Sequence, residues 1–307
     1  MDKLDELAVF VAVVQQGSLA AAARMLRRSP TAITRTLAAL EQRLACTLIE
    51  RTTRRLAPTP AGVALFERAK GVLDAYQQAL SASDGNPLSG QLSLTAPVQF
   101  GRRHVAPLVL TFLERYPDIQ IDLQLNDGYQ DLIEQGLDMA VRIGQLRDSS
   151  LVAVEVGRVR RLLVASPDYL ARMGEPLSPA ALADHHLIAG VTASKTWRFT
   201  AAGLQERVRI TPRLTVNEVE TQLIAARAGK GIARLLSYQV YEDLQAGTLC
   251  EVLPAFRCAA VPVQLVTQNV KYMPARVRAF WELARAALPE LACFQTNKPG
   301  QPEKEID

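Results

Sequence analysis

Three hydroxyl residues mark helix starts within the first sixty positions: Ser18, Ser29 and Thr59, the last two followed directly by proline. A serine or threonine there accepts a hydrogen bond from an otherwise unpaired amide of the first turn. Proline suits the next position because its missing N–H is not needed. Before Ser18, Leu4, Leu7, Phe10, Val11 and Val14 recur at helical spacing, and Gly17 supplies a stop. Leu19–Leu26 is alanine-rich and has high helix propensity. From Pro30 a third helix runs to about Leu44, with Ile33, Leu37, Leu40 and Leu44 on its buried stripe. The spacing predicts two helices, a short connection at Arg27–Arg28 and a third helix, the layout of a helix-turn-helix.

The start of the third helix is rich in Ser, Thr and Arg. Ser29 caps it, and Pro30, Thr31, Thr34 and Arg35 fall on the exposed side while Ala32 and Ile33 face inward. Such a helix start can reach base edges in a major groove about 12 Å wide. Arg35 could bond guanine edges or phosphate, and the two threonines offer methyl and hydroxyl groups. Between Arg24 and Arg55 there are eight arginines (24, 27, 28, 35, 43, 51, 54, 55) against Glu41 and Glu50, without one lysine. The planar guanidinium fork suits phosphate and base-edge contacts. A basic stretch alone is also what a solvated face looks like, and three helices also describe a plain interaction module. Charge and motif together point to double-stranded DNA.

Beyond the third helix, the stretch from Leu48 to Leu56 has apolar ends around a basic centre, which predicts a small β-ribbon. Arg51, Thr53, Arg54 and Arg55 would then form a wing reaching the phosphate backbone or minor groove. The helix opened by Thr59-Pro60 carries Val63, Phe66, Leu73, Tyr76 and Leu80 at helical spacing to about Ala82. A long apolar stripe with no domain of its own to pack on predicts pairing with a second copy. A homodimer would place two reading helices on a two-fold operator.

Asp84-Gly85-Asn86-Pro87 and Ser89-Gly90 form a breaker cluster and the best domain boundary. After it, strand-like and helix-like segments alternate, which predicts an α/β domain with a largely parallel sheet. Strands are expected at Gln91–Ala96, Gln120–Leu125, Met139–Ile143, Arg161–Ala165, Leu187–Ala189, Arg213–Val216, Ile232–Leu235 and Val263–Thr267. Helices are expected at His104–Tyr116, Tyr129–Gln135, Val219–Ala228 and about Ala275–Ala287, and a disordered tail from Gln295 to Asp307. In open α/β sheets, ligands sit beyond the carboxyl ends of strands, where helix starts offer free N–H groups. That directs attention to Pro97, Gln99, Phe100 and Gly101 after the first strand, Asn126 after the second, and Asn217 ahead of a later helix. Arg102, Arg103 and Arg142 could add positive charge and favour a small anionic effector, although exposed arginines are equally common as plain surface. Gly229-Lys230-Gly231 follows a helix and lacks phosphate-loop spacing, so it reads as an αL turn with an exposed lysine.

The string F-(x)6-GS-L-AAAA-(x)2-L-(x)2-SPTAITR-(x)4-LE-(x)2-L, followed by ERTTRR and TPAG, resembles the LysR-type transcriptional regulators. The match is close from Leu4 to Leu80 and looser over nearly the whole chain. It implies an all-α winged helix-turn-helix N-terminal domain (1–59), a linker and dimerisation helix (60–87) and an α/β periplasmic-binding-protein-like effector domain (88–294). That last domain would have two subdomains, about 88–165 with 268–294 and about 166–267. The chain would cross near Ala165–Pro167 and Thr267–Asn269, with a small-molecule effector held between the two parts. The resemblance also implies DNA contacts by Ser29, Pro30, Thr31, Thr34, Arg35 and the wing arginines, a homotetramer, and RNA polymerase as a further partner. Three positions depart from the family pattern: Thr31 replaces a usual proline, Ala45 a usual glycine and Lys230 a usual apolar residue. Alanine at 45 is strained if the turn still needs a positive φ.

Composition narrows the alternatives. No apolar run reaches the ~18 to 20 residues of a membrane span. The start, MDKLDELAVFVAVVQQGS, is acidic where a signal peptide is basic, so a cytoplasmic protein is expected. Cys46, Cys250, Cys258 and Cys293 are scattered without metal-ligand spacing, which leaves buried thiols or one redox sensor. No paired nucleophile and base, metal cluster or cofactor fingerprint appears, so neither an enzyme nor a cofactor is expected. The leading reading is an effector-responsive, sequence-specific transcriptional regulator. The alternatives are a general DNA-binding protein with a non-functional sensor, or a solute-binding protein or enzyme built on the α/β part.

Overall fold

In the computed structural model, the structure describes residues 2–51, 56–81, 88–128, 130–146, 151–191, 196–201, 204–256, 259–268, 270 and 273–295. The chain forms two compact units: Met1–Arg142 with Leu146–Val154 and Leu265–Arg285, and Ile143–Gln145 with Glu155–Gln264 and Ala286–Asp307.

The first unit opens with α1 (Lys3–Gln16), α2 (Leu19–Met25) and α3 (Pro30–Leu44). Ser18 Oγ accepts from Ala21 N at 3.4 Å and Ser29 Oγ from Ala32 N at 3.2 Å, so both expected caps are present. Gly17 ends α1 at φ 56°. β1 (Ile49–Arg51) pairs antiparallel with β2 (Leu56–Pro58). Thr59 then joins ribbon to helix: its Oγ1 donates to Thr47 O at 2.8 Å and accepts from Gly62 N at 3.0 Å. It opens α4 (Pro60–Ser81). Val9, Phe10, Val13, Ile33, Leu37, Leu40 and Leu48 form the core of this head. Phe66 is fully buried there and carries α4 into it, a contribution of about 2–3 kcal/mol. Leu44, expected on the buried stripe of α3, is the last residue of the helix and is exposed instead, so the buried stripe ends at Leu40.

The same unit contains β3 (Gly90–Ala96), α5 (Val98–Phe100), a π-helical turn (Gly101–Val105) and α6 (Ala106–Arg115). The helix expected from His104 therefore begins six residues earlier. β4 (Ile119–Leu125) and β5 (Met139–Ile143) each pair parallel with β3. With β14 (Val261–Thr267) and β6 (Val152–Val159) they make one sheet in the order β4-β3-β5-β14-β6. Of the helix expected over Tyr129–Gln135, the described residues 130–135 form none; Tyr129 lies outside the described residues. Asp131 Oδ1 accepts from Ile133 N and Glu134 N, and Gly136 at φ 66° ends the segment after one turn. α10 (Ala275–Ala287) packs Phe280 edge-on against Phe112 at 5.2 Å.

The second unit is built on a sheet of order β11-β8-β12-β7-β13: β7 (Arg161–Ala165), β8 (Leu187–Gly190), β11 (Leu214–Val216), β12 (Ile232–Leu236) and β13 (Cys250–Val252). β8, β11 and β12 run parallel, but β7 is antiparallel to both β12 and β13, so the sheet is mixed. That pairing places β7 in this unit, whereas residues up to 165 were expected in the first subdomain. Residues 286–294 belong here too, because α11 (Ala292–Gln295) sets the Phe294 ring against Gly157. Alternate residues of β7 feed two cores: Leu163 and Ala165 join Trp197 and Phe199, while Leu162 and Val164 join Leu223 and Val240. A strand covered on both faces has this apolar continuity. The unit also contains α7 (Pro167–Met173), the hairpin β9 (Thr196–Ala201) and β10 (Leu204–Arg209), α8 (Val219–Arg227) and α9 (Ser237–Gln245). Among the described residues no helix is long and apolar enough to cross a membrane.

Candidate DNA-reading surface and effector loops

The amino-terminal turns of α3 present Ser29, Pro30, Thr31 and Arg35 as exposed groups, with Thr34 half-buried and Ile33 in the core. The hydroxyls are already partly committed. Ser29 Oγ accepts the cap bond from Ala32 N, which leaves its own proton to donate. Thr34 Oγ1 donates to Pro30 O at 3.0 Å, which occupies its proton within the helix. Arg24, Arg27 and Arg35 are exposed and make no ion pair among the described residues. Of the wing, only Arg51 has its backbone described, in β1; Thr53, Arg54 and Arg55 lie outside the described residues.

Two arginines counted in the basic window are not available. Arg28 donates to Asp5 through Nη1 at 2.8 Å and Nη2 at 2.6 Å, which holds the Asp5 carboxyl below the usual carboxylate range. Arg43 is bonded to buried Glu6. Both acids sit on α1, outside the stretch that was counted. Glu41 is structural as well: its Oε1 accepts from Leu48 N at 2.8 Å and Ile49 N at 3.1 Å and so aims the ribbon. With those two paired, the arginines of the α2–α3 pair that make no ion pair among the described residues lie at the α2–α3 corner and the start of α3. That is where an anionic duplex must approach.

The loops after β3 and β4 lie side by side, because Ala96 pairs with Leu125 and each strand ends there. Pro97 and Arg142 are half-buried and Asn126 is exposed, with Asn126 Oδ1 accepting from Gly128 N at 2.7 Å. Gln99, Phe100 and Gly101 are buried: Phe100 stacks on His104 at 4.9 Å, and a methyl on Gly101 would stand 2.2 Å from Leu125 Cδ2. They pack the helix onto the sheet and do not line open space. Arg142 donates to Gln130 O at 2.5 Å and Gly128 O at 3.3 Å. These two backbone carbonyls hold the guanidinium at the loop. Asn217 is exposed after β11, in the other unit.

Sequence reading missed Thr95 and Gln130 here, and gave no role to Asp127 and Glu218, which lie within the loops it singles out (126–129 and 217–218). Thr95, at the buried end of β3, donates to Gln130 Oε1 at 2.7 Å. A hydroxyl closing an otherwise apolar strand was the available signal. Asp127 Oδ1 accepts from Val98 N at 3.0 Å, and the Glu218 carboxylate accepts from Glu220 N at 2.9 Å and Thr221 N at 2.7 Å. Two helix starts expected to offer amides to an anion are therefore already occupied by carboxylates of the chain itself.

The family described as the LysR substrate binding domain matches residues 85–289, and the bacterial regulatory helix-turn-helix protein, lysR family, matches residues 4–63. The chain belongs to the LysR family. It is 32% identical over 304 residues to the probable HTH-type transcriptional regulator LtrA of Klebsiella pneumoniae, covering 97% of this chain and 98% of that one. To the regulator CrgA of Neisseria meningitidis it is 33% identical over 299 residues, 94% of this chain and 98% of that one. The full-length structure of AphB, a Vibrio cholerae virulence activator, matches with a TM-score of 0.61 at 28% identity, over 94% of this chain and all of that one. As a LysR-type regulator, the protein binds DNA, controls transcription and responds to a small-molecule effector through its substrate-binding domain. Its fold class is the expected one, a helix-turn-helix head followed by a LysR substrate-binding domain.

Proposed function

We propose that this LysR-type regulator reads a two-fold site on double-stranded DNA through the start of α3, one copy from each protomer of a dimer joined along α4. The exposed Ser29, Pro30, Thr31 and Arg35 face, beside Arg24 and Arg27, which make no ion pair among the described residues, carries this reading. In it Arg35 contacts a base edge, Ser29 donates to phosphate, and Thr31 and Thr34 offer methyl groups. Arg51, Thr53, Arg54 and Arg55 of the wing hold the backbone. Val72 and Tyr76 on α4 remain 47% and 44% exposed, which supports pairing along that helix. Two such dimers make the tetramer. The protein works in the cytoplasm and changes promoter output through RNA polymerase.

The effector is proposed to meet Pro97, Asn126 and Arg142, with Gln99, Phe100 and Gly101 beneath them and Asn217 as a further candidate. Arg142 favours an acid group, while the Asp127 and Glu218 carboxylates oppose one at the helix starts. Fluorescence anisotropy on a palindromic site from near its own gene, and on random DNA across a salt series, tests the DNA reading. Arg35→Ala should weaken specific binding by about 1–3 kcal/mol, roughly 5- to 150-fold, and relax preference at one base position. Equal weakening on random DNA would reassign Arg35 to phosphate, and no binding by the wild type would overturn the reading.

A further inference from the structure

The second unit contains a cavity of about 370 Å³ at the amino ends of its parallel strands. β8, β11 and β12 all start there, since Leu187 pairs with Ile232 and Ile188 with Leu214. Asn217 lies past the other end of β11 and is not part of the lining. Three strong cations converge on the cavity: Arg172 from α7, Arg213 from the approach to β11, and Lys230 from the α8–β12 turn. His186 lines it with them, and none of the lining residues is acidic.

The partners of these groups include no carboxylate. Arg172 Nη2 donates to Gly229 O at 2.9 Å and its Nε to Asp168 O at 3.2 Å, while Arg213 Nη1 lies 3.0 Å from the His186 ring nitrogens. Arg172, Arg213 and Lys230 make no ion pair among the described residues. Backbone acceptors fix Arg172 in place yet leave its charge and three of its five N–H donors unused. The αL conformation of Gly229, φ 65°, keeps this arrangement, because a methyl there would stand 3.0 Å from Arg172 Nη2. Like charges held together in a concavity repel, and an anion that enters removes that cost and gains charge-assisted bonds. Part of the wall is apolar: Met173 and Leu214 are 44% and 36% exposed, and the Tyr169 ring is buried behind them.

From this geometry we infer a second ligand site on the regulator, separate from the loops after β3 and β4, for a small organic anion. The ligand has one carboxylate or phosphate for the Arg172, Arg213 and Lys230 cluster and a compact apolar part for Met173 and Leu214. The volume lies at the small end of the range for ligand pockets. A concave, half-open dent of that size fits a small molecule better than a broad acidic protein surface.

The full-length protein should be titrated with phenyl phosphate, benzoate and inorganic phosphate at constant ionic strength, following the melting temperature and, for the best ligand, the heat of binding. Phenyl phosphate is expected to give a saturable rise in melting temperature, since a ligand of the folded state stabilises by mass action. Lys230→Gln and Arg213→Gln, both at exposed positions, should melt like the wild type without ligand and bind at least about tenfold more weakly, the loss of one charge-assisted bond. Arg142→Gln should leave the titration unchanged. The inference is overturned if no probe gives a saturable rise, if sodium chloride reproduces it, or if the Lys230 and Arg213 variants respond like the wild type. Loss of the response in Arg142→Gln would move the ligand to the other loops and also overturn it. A response to a polyglutamate peptide but to none of the small anions would assign the surface to an acidic protein instead.

Discussion

Removing Lys70 from α4 should destabilise the larger unit far more than the loss of a surface charge does. Its Nζ lies 2.5 Å from Asp138 Oδ1, and the two side chains are 11% and 6% exposed. Asp138 cannot move away. Its Oδ2 accepts from Ser93 N at 2.9 Å, its N–H donates to Ser93 O, and its carbonyl accepts from Thr267 Oγ1 at 3.0 Å. An exposed pair is worth only about 0.2–1 kcal/mol, whereas removing one partner of a buried pair costs about 3–5 kcal/mol, because the other charge stays behind unpaired. Lys70→Met should therefore cost about 3–4 kcal/mol, since the pinned carboxylate has no route to water. Asp138→Asn should cost less, about 2–3 kcal/mol, because the flexible lysine stem can carry its ammonium outward. The double variant loses both charges together, and the coupling energy should be about 2–4 kcal/mol.

Trp281 lies in the larger unit and Trp197 in the other. Fluorescence in a Trp197→Phe background then follows urea unfolding of the larger unit alone, and the four variants complete a double-mutant cycle. A coupling below about 1 kcal/mol, or one that falls by more than half in high salt, would show a solvated pair and refute the reasoning. The pair matters for function because α4 joins the helix-turn-helix head to the sheet whose loops after β3 and β4 are the proposed effector contacts. Lys70 and Asp138 fasten that helix beside the start of β5.

Gly62→Ala places a methyl 2.1 Å from Leu48 O, a backbone atom that cannot rotate aside. It should destabilise the head by about 2–3 kcal/mol, and a DNA-binding titration against temperature should show early loss. Ala45→Gly relieves a left-handed residue at φ 52°; the gain of about 1 kcal/mol or more is partly offset by glycine's freedom when unfolded. A net rise of about 0.5 kcal/mol in urea unfolding is expected, and a fall would mean the turn tolerates alanine without strain. Burial lowers the His185 pKa below its ordinary 6.5, where its Nδ1 meets Tyr169 Oη at 3.2 Å. The folded state then binds the proton less readily than the unfolded chain, so the contribution of His185 to stability is present above pH 6.5 and lost as pH falls through the lower folded value. Denaturant midpoints taken between pH 7 and about 5 should fall less steeply in His185→Gln than in the wild type.

The head was legible because its signals are local. A cap, its proline and an apolar stripe lie within a few residues of each other, and Ser18, Ser29 and Gly17 act where the spacing placed them. Charge was less legible, since neutralisation needs tertiary contact: the acids that bind Arg28 and Arg43 lie 23 and 37 residues away on α1. Apolar spacing with Asp131 at its head resembles a helix start, but that side chain closes a single turn and Gly136 stops it. The parallel expectation failed at β7 for a related reason, because strand direction is set by which neighbours cover the sheet and not by the strand's own residues.

The site shows the same division between local and long-range information. Helix starts were expected to attract an anion, but a helix start cannot show in sequence whether Asp127 or Glu218 already occupies it. The opposite holds for Arg172, Arg213 and Lys230. Separated by about sixty residues of chain in all, they read as scattered surface charge, and only the shared starting edge of β8, β11 and β12 gathers them. Positive charge in this regulator is thus trimmed where the sequence concentrates it, at Arg28 and Arg43, and gathered where the sequence spreads it, at Arg172, Arg213 and Lys230. If that distribution matters, exchanging Asp127 for asparagine should strengthen the response to an anionic effector at the loops after β3 and β4. It should leave phenyl phosphate binding at the Arg172 cluster unchanged. Parallel shifts at both places would mean that the two answer to net charge alone.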